Sequence, residues 1–305
     1  MVDVSHIVSV YTKRDYLPDT IASLIHQDTQ LSREFIFVDD CSKDDSVEVI
    51  RQLTQGMPNV TIVTNSDNKG PSVRLNQGAK LANGAYLHFL DHDDVVPQNA
   101  IQVMHDMLSK YHGDFIYGTW KKTGKPGKEL LSWRIDDPDV CFTHKDPLHS
   151  ILTGRYKRMC TLVERNLFIK AGGFDERIFI QDESLPVRLA IKAARFISTP
   201  AIVNLVPIEI GNLSQNKSQL NHDRFLAYYY ALADNPDCAE SYRRLMYRRA
   251  ISAGWKQTRG THTLSWLTPM FGRYLYTFWL NDAVKASVLD SLFHQFSTLQ
   301  NVRHP

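Results

Sequence analysis

The sequence has few of the residues that build covalent or metal cross-links. Its four cysteines, Cys41, Cys141, Cys160 and Cys238, lie far apart and form no CxxC pair. That spacing excludes a zinc ribbon and a dense disulfide framework, and it fits a reducing compartment. Net charge is also small. A formal +2 over 305 residues gives no reason to expect nucleic acid as a partner. Long apolar runs are missing too. The most apolar late segment, LSWLTPMFGRYLYTFWL, is broken by Pro269, Gly272 and Arg273 and makes a poor membrane span. The N-terminus, MVDVSHIVSVY, lacks the basic head and apolar stretch of a signal peptide. No internal repeat or low-complexity tract stands out. The expected location is cytoplasmic.

What is present fits a globular α/β protein. Hydrophobic residues make up 43% of the chain and charged residues 22%, a balance that supports a packed core in one large domain or two smaller ones. Over the first ~120 residues, strand-like and helix-like segments alternate, which points to a parallel sheet. HIVSVY, EFIFV, VTIVT, AYLHFL and DFIYG read as strands. YLPDTIASLIHQ, DDSVEVIRQLTQ, PSVRLNQGAKLA and AIQVMHDMLSKY read as helices between them. Pro71 suits a first helical turn. From Thr119 to Lys145 the pattern weakens into loops, with LLSWRI as a candidate strand. RMCTLVE reads as a strand and SLPVRLAIKAARF as a helix. After about Gln219 the chain reads as helical and aromatic.

The chemistry concentrates at strand ends. AYLHFLDHDD delivers Asp91, Asp93 and Asp94 to one point. Three carboxylates this close repel one another and favour a cation. Mg²⁺ is commonly held by one or two carboxylates plus substrate phosphates, so DHDD reads as a half-built metal site completed by a diphosphate. The plain alternative is an exposed acidic loop. Asp39 and Asp40 end the second strand. A carboxylate there can accept the N3–H of uracil, with Asp40 the favoured acid because it lies farther from the strand. Helix capping by DDCSKDD is the competing reading. Open parallel sheets bind ligands outside the carboxyl ends of their strands, where Tyr11, the Asp39–Asp40 pair and the acidic cluster all fall.

These segments resemble the family 2 glycosyltransferases of bacterial type, with the nucleotide-sugar-binding GT-A fold. The resemblance rests on VSVYTKRDYLPDTIASLIHQ, FIFVDDCSKDDSVEVI, NKGPSVRLNQGAKLANGAYLHFLDHDD and AGGFDERIFIQDESLPVRLA, in that order, over roughly Val8 to Ala194. It implies a GT-A domain over residues 1–218, with a nucleotide-binding half to about 118 and an acceptor half beyond it, followed by a helical extension over 219–305. It implies that Ser9 and Tyr11 line the nucleoside pocket and that Asp39 or Asp40 binds uracil. Asn68, Gly70 and Arg74 would lie near the nucleotide-sugar, and Asp91 would face the ribose or donor sugar. In the DXD motif Asp91-His92-Asp93, Asp93 would hold Mn²⁺ or Mg²⁺, with Asp94 beside it as a second ligand. Asp182 would be the base that deprotonates the acceptor hydroxyl, with inversion at the anomeric carbon. The donor would be a UDP-sugar and the acceptor a glycan or lipid-linked glycan of surface polysaccharide or glycoconjugate synthesis.

The sequence departs from the family pattern in three places. YTKRD replaces the usual proline and Asn after the first strand, Gln181 replaces the Glu before the base, and Cys41 stands where a turn glycine is common. No QxxRW motif of processive synthases is present.

Two rival readings use the same acids. YLHFLDHDDVV also fits the D-x-D-x-V opening of haloacid-dehalogenase-type phosphatases, with Asp91 as nucleophile and Asp93 as acid/base. A phospho-acceptor receiver domain would use Asp39–Asp40 as its acidic pocket and Asp91 as acceptor. Neither accounts for GGFDERIFIQDE. QDES alone could simply place acids at a helix N-terminus. GNLSQNKSQLNHDR reads either as a connector or as a loop closing on the diphosphate through Ser214, Lys217 or His222. The segment with Arg243, Arg244, Arg248, Arg249, Lys256 and Arg259 beside Leu245, Met246, Ile251 and Trp255 suits peripheral contact with the inner face of the plasma membrane. The alternative is a core-packing helix with a basic face.

Overall fold

The computed structural model describes residues 2–124, 132–154, 156, 159–208, 216–261, 264–279, 285–300 and 302–303. Among these residues eight strands form one sheet, whose spatial order, numbering the strands along the chain, is 3-2-1-4-7-5-8-6. Its first half is parallel: β1 (Val4–Val10), β2 (Arg33–Asp39), β3 (Val60–Val63) and β4 (Tyr86–Asp91). β1 is buried along its whole length, as expected for a central strand covered on both faces. The helices between these strands are α1 (Leu17–Ile25), α2 (Ser46–Leu53) and α3 (Pro71–Leu81). On α1, the residues Leu17, Ile21 and Leu24 face the core at helical spacing. Gly78 lets α3 press on β1, since a Cβ there would stand 2.5 Å from the Ile7 side chain.

The second half of the sheet is mixed. After α4 (Ala100–Tyr111) come β5 (Phe115–Thr123), β6 (Phe142–His144), α5 (Pro147–Thr153), β7 (Thr161–Glu164) and α6 (Arg165–Lys170). Then follow α7 (Leu185–Lys192) and β8 (Phe196–Pro207). β7 runs antiparallel between β4 and β5, β8 pairs parallel with β5, and β6 closes the edge antiparallel to β8. LLSWRI does not form a strand in its described residues. Trp133 and Ile135 instead dock on the start of α4: Gln98 N donates to Trp133 O and Ile135 N to Asn99 Oδ1, both at 2.8 Å.

The chain ends in helices α8 (Lys217–Asp234), α9 (Glu240–Thr261), α10 (Pro269–Trp279) and α11 (Ala286–Ser297). Among the described residues, no helix is long and apolar enough to cross a membrane. Part of the basic segment on α9 is spent on contacts within the protein, while Lys256 and Arg259 are exposed. Met246, Ile251 and Trp255 are buried. Arg243 donates to carbonyls at the end of α8, Arg249 to those at the end of α5, and Arg244 pairs with Glu240.

Candidate active site

Three neighbouring strands deliver the site. The register sets Ser9 of β1 opposite Val38 of β2 and Asp91 of β4, with Asp39 opposite Val10. Strands lie about 4.8 Å apart, so Ser9, Asp39 and Asp91 share one carboxyl edge. The chain leaves β1 toward β2 on one side and reaches β4 on the other, which makes a crevice at the switch in strand order.

The two acids ending β2 have different surroundings. Asp40 is enclosed by donors: Lys69 N and Gly70 N at 2.8 Å, and Arg74 Nε at 2.7 Å. Arg74 also donates to Asp67 Oδ1 at 2.8 Å and to Gln77. This network fixes the loop entering α3, and it occupies both Asp40 oxygens. Asp40, the acid favoured above as the uracil reader, thus already accepts from protein donors at both oxygens. The Asp39 carboxylate receives only the Ser42 N–H among the described residues, at 3.2 Å from each oxygen. Arg74 likewise serves as a buried brace. Asn68 donates to Asp40 O at 3.2 Å. Gly70 has φ +86, and a Cβ there would lie 2.7 Å from the Phe179 ring, so two independent constraints require glycine. Tyr11 is half-buried just past β1.

The turn after β4 gives each acid its own protein partner. Gln181 Nε2 donates to Asp91 Oδ1 at 2.8 Å. Lys13 Nζ lies 3.5 Å from Asp93 Oδ2. Asn204 Nδ2 donates to Asp94 Oδ2 at 3.2 Å, and Asp94 is buried. His92 reaches Ser9 O at 2.9 Å through Nδ1, tying the turn to β1. Repulsion among the three carboxylates is thus offset in part by Lys13 and by two amides. Among the described residues, no cluster of three or more His, Cys, Asp or Glu is placed to hold a metal. Asp94 points its carboxylate into the β8 contact, while Asp93 keeps an oxygen donor at the partly open edge. The fit to a hard cation is therefore that of a single carboxylate oxygen, with other ligands to come from a diphosphate.

Asp182 sits in a 3₁₀ turn, Gln181–Glu183, directly before α7. It lines a cavity with Tyr156, Glu183, Arg224, Tyr228, Arg249 and Lys256. Glu183 is held by Arg224 through two hydrogen bonds, at 3.0 and 2.7 Å. Burial, then the Asp182 charge, pushes the Tyr117 phenol well above its ordinary range, so it stays neutral. The GGFDE segment is locked to α3 by Asn76, whose Oδ1 accepts from Phe174 N and whose Nδ2 donates to Phe174 O, both at 2.9 Å. Ile180 N donates to Asp223 Oδ2 at 2.7 Å, fixing the approach to Asp182.

Several residues near the site were not singled out by sequence reasoning. Lys13 lies in the stretch noted only as a departure. Arg224 and Asn76 carry their roles through long-range contacts. Arg303 returns from the chain's end: its guanidinium lies 5.0 Å from the Phe179 ring centroid and 3.4 Å from Asn68 Oδ1. Of the residues considered for a closing loop, Ser214 lies outside the described residues and Lys217 opens α8. His222 is buried against Asp223 and Phe296, which removes it from such a role.

The family model described as glycosyl transferase family 2 matches residues 5–168, more than half of the chain. That stretch holds both the Asp39–Asp40 pair and the acidic turn, and the match gives no support to the phosphatase reading. The chain is 27% identical over 193 residues to the minor teichoic acid biosynthesis protein GgaB of Bacillus subtilis, covering 62% of this chain and 21% of that protein. It spans less than two thirds of the first curated relatives it matches. Its fold is similar to that of S. aureus TarS 1-349 in complex with UDP-GlcNAc, with a TM-score of 0.66 at 16% identity over 95% of this chain and 84% of that one. It is also similar to the mannosyltransferase PcManGT from Pyrobaculum calidifontis in complex with GDP-Man and Mn²⁺. There the TM-score is 0.63 at 15% identity, over 97% and 81% of the two chains. The fold is GT-A, with a helical C-terminal region.

Proposed function

The chain belongs to glycosyl transferase family 2, and on that premise we propose that it moves a sugar from a UDP-sugar to a hydroxyl of a glycan or lipid-linked glycan acceptor, with inversion. The observation that carries this reading is the joining of two halves of a site. Asp91, at the edge shared with Ser9 and Asp39, is tied at 2.8 Å to Gln181, whose neighbour Asp182 opens into a separate cavity. A donor on the first side and an acceptor on the second would meet across that contact.

In this mechanism Tyr11 and Ser9 flank the nucleoside and Asp39 accepts the uracil N3–H. Lys13 and Asp93 border the diphosphate. Asp91, oriented by Gln181, faces the donor sugar. Asp182 takes the proton from the acceptor hydroxyl as its oxygen bonds to the anomeric carbon, and the bond to the diphosphate breaks in the same displacement. Glu183 is a poorer base because Arg224 holds both of its oxygens. A Mn²⁺ or Mg²⁺ ion held by Asp93 would offset the charge of the departing diphosphate. The complexes of neighbours with UDP-GlcNAc and with GDP-Man and Mn²⁺ support a nucleotide-sugar at this edge. Relatives named for teichoic acid biosynthesis support a surface polymer as the setting. For a lipid-linked acceptor, the exposed Leu264, Trp266 and Leu267 are better placed for membrane contact than the apolar face of α9.

The test is nucleoside diphosphate release from a panel of UDP-, GDP- and CDP-sugars, with and without Mn²⁺ or Mg²⁺. Release of UDP from at least one donor, stimulated by metal, is expected. Release only from GDP- or CDP-sugars would overturn the donor assignment, and metal-independent release would remove the cation.

A further inference from the structure

A second concavity opens at the far half of the sheet, with a volume of about 370 Å³. It is bordered by Thr119 and Trp120 of β5, Phe142 of β6, Tyr156, and Ser198 and Thr199 of β8. Two of its walls are aromatic rings unusually open to solvent, Trp120 at 38% and Phe142 at 59% exposure. Tyr156 is the wall it shares with the Asp182 cavity. That ring is fixed edge-on against Phe196, with centroids 4.7 Å apart at 88°.

The hydroxyls of Thr119, Ser198 and Thr199 in the groove are biased toward accepting hydrogen bonds, while Trp120 and Tyr156 bring an indole N–H and a phenol beside their rings. Thr119 Oγ donates to Pro200 O at 2.9 Å and Ala201 O at 3.0 Å, and Thr199 Oγ donates to Val140 O at 2.7 Å. Ser150 Oγ donates to Asp146 O at 3.0 Å, so at its 3.1 Å contact it accepts from His144 Nδ1. His144 Nε2 is then left to accept from Ser198 Oγ at 2.8 Å. Burial lowers the His144 pKa, which favours this neutral form. All three hydroxyl protons are thus used within the protein, and the oxygens keep lone pairs. Neither Lys121 nor Lys122, which follow on β5, borders the groove. A ligand suited to these walls donates from hydroxyl groups and has an apolar face to lay on a ring. A pyranose has both properties, whereas a phosphate has no apolar face to lay on a ring.

We propose that this groove is an acceptor subsite for a pyranose ring at least one unit away from the hydroxyl that is glycosylated. The acceptor is then a chain of two or more sugars passing Tyr156 into the Asp182 cavity. This rests on the glycosyltransferase reading above, and it adds an acceptor class that the donor site does not specify.

The test uses calorimetric titration of the full chain with maltose, cellobiose, lactose, N,N′-diacetylchitobiose and ribitol 5-phosphate. Wild type is compared with Trp120→Ala and Phe142→Ala, whose exposed rings can be truncated without opening the core. UDP titration and UDP-sugar hydrolysis serve as separate readouts. At least one disaccharide should bind, each variant should weaken it about tenfold, the loss expected for one aromatic contact, and UDP affinity should not change. Binding of ribitol 5-phosphate alone, saccharide binding equal in both variants and wild type, or no saccharide binding would each overturn the subsite. If UDP-sugar hydrolysis persists in those cases, only the subsite fails. If no nucleotide-sugar is bound or hydrolysed either, the glycosyltransferase reading fails with it.

Discussion

Arg74 and Asp40 form a buried ion pair, Nε to Oδ1 at 2.7 Å, with each side chain only 5% exposed. The pair ties the end of β2 to the first turns of α3, and its geometry is structural before it is functional. Removing one partner leaves an uncompensated charge, which costs about 3–5 kcal/mol. Arg74→Met should therefore lower unfolding stability by that amount in urea titrations. A change below about 1 kcal/mol, with a large loss of UDP affinity, would return Arg74 to direct donor contact.

If Asp39 accepts the uracil N3–H, as proposed above, it carries nucleotide choice. Uracil N3–H donates, while cytosine N3 presents a lone pair that a carboxylate repels. A buried acceptor left unpaired costs about 1–3 kcal/mol, so UDP should bind roughly tenfold or more tightly than CDP. Asp39→Ala should narrow that gap. Competition binding with UDP, CDP, GDP and dTDP checks it. dTDP keeps the N3–H and is not rejected on this ground. A wild-type preference for CDP or GDP would defeat the uracil assignment.

Cys41 has φ +64, a left-handed conformation that costs a side chain about 1–2 kcal/mol. This accounts physically for glycine being common at that turn in the family. Cys41→Gly should raise stability by up to about 1 kcal/mol, since glycine's larger unfolded entropy offsets part of the gain. Thermal unfolding measures it, and a destabilised variant would show that the Cys41 Sγ contact to Ser66 O, at 3.3 Å, outweighs the strain.

Much of the parallel half was legible because its signals are local. The buried strands β1, β2 and β4 are largely apolar runs, β2 and β4 ending in acids, and α1 and α2 show a helical stripe. The second half was less so. β6 is three residues with no apolar alternation, and β8 contains Pro200, which argues against a strand. Ile135 is apolar because a loop buries it beside the start of α4, and the Trp133 ring lies under Lys121 Nζ, 4.6 Å from its centroid; neither sits in a strand. At the site, sequence gave the acids but not their partners. Whether Asp40 faces a ligand or Arg74 depends on contacts made 34 residues apart, and the Gln181–Asp91 bond spans 90. Such pairings leave no periodic trace.

His6 and His88 meet inside the sheet, Nδ1 to Nδ1 at 3.1 Å, both fully buried. Burial lowers both pKa values, that of His88 to about 3. Both rings are neutral when folded, whereas the unfolded chain takes up protons near pH 6.5. Stability from this pair is thus complete above about pH 6.5 and is lost as pH falls toward 3, by up to about 1.4 kcal/mol per pH unit for each histidine. Urea unfolding between pH 7.5 and 5 should show this slope, and a His6→Leu/His88→Leu double variant should flatten it. An unchanged slope would place the pH dependence elsewhere.

The most direct test of the account is Asp182→Asn, which keeps size and removes the proposed base. Two quantities are measured on one preparation: the rate of UDP release from the preferred UDP-sugar, and the affinity for UDP by calorimetry. The division between a donor edge and an Asp182 cavity predicts a fall in rate of roughly 10²–10⁴-fold, the range for a positioned general base, with UDP affinity unchanged. Near-normal release by the variant, or a parallel loss of UDP binding, would contradict it.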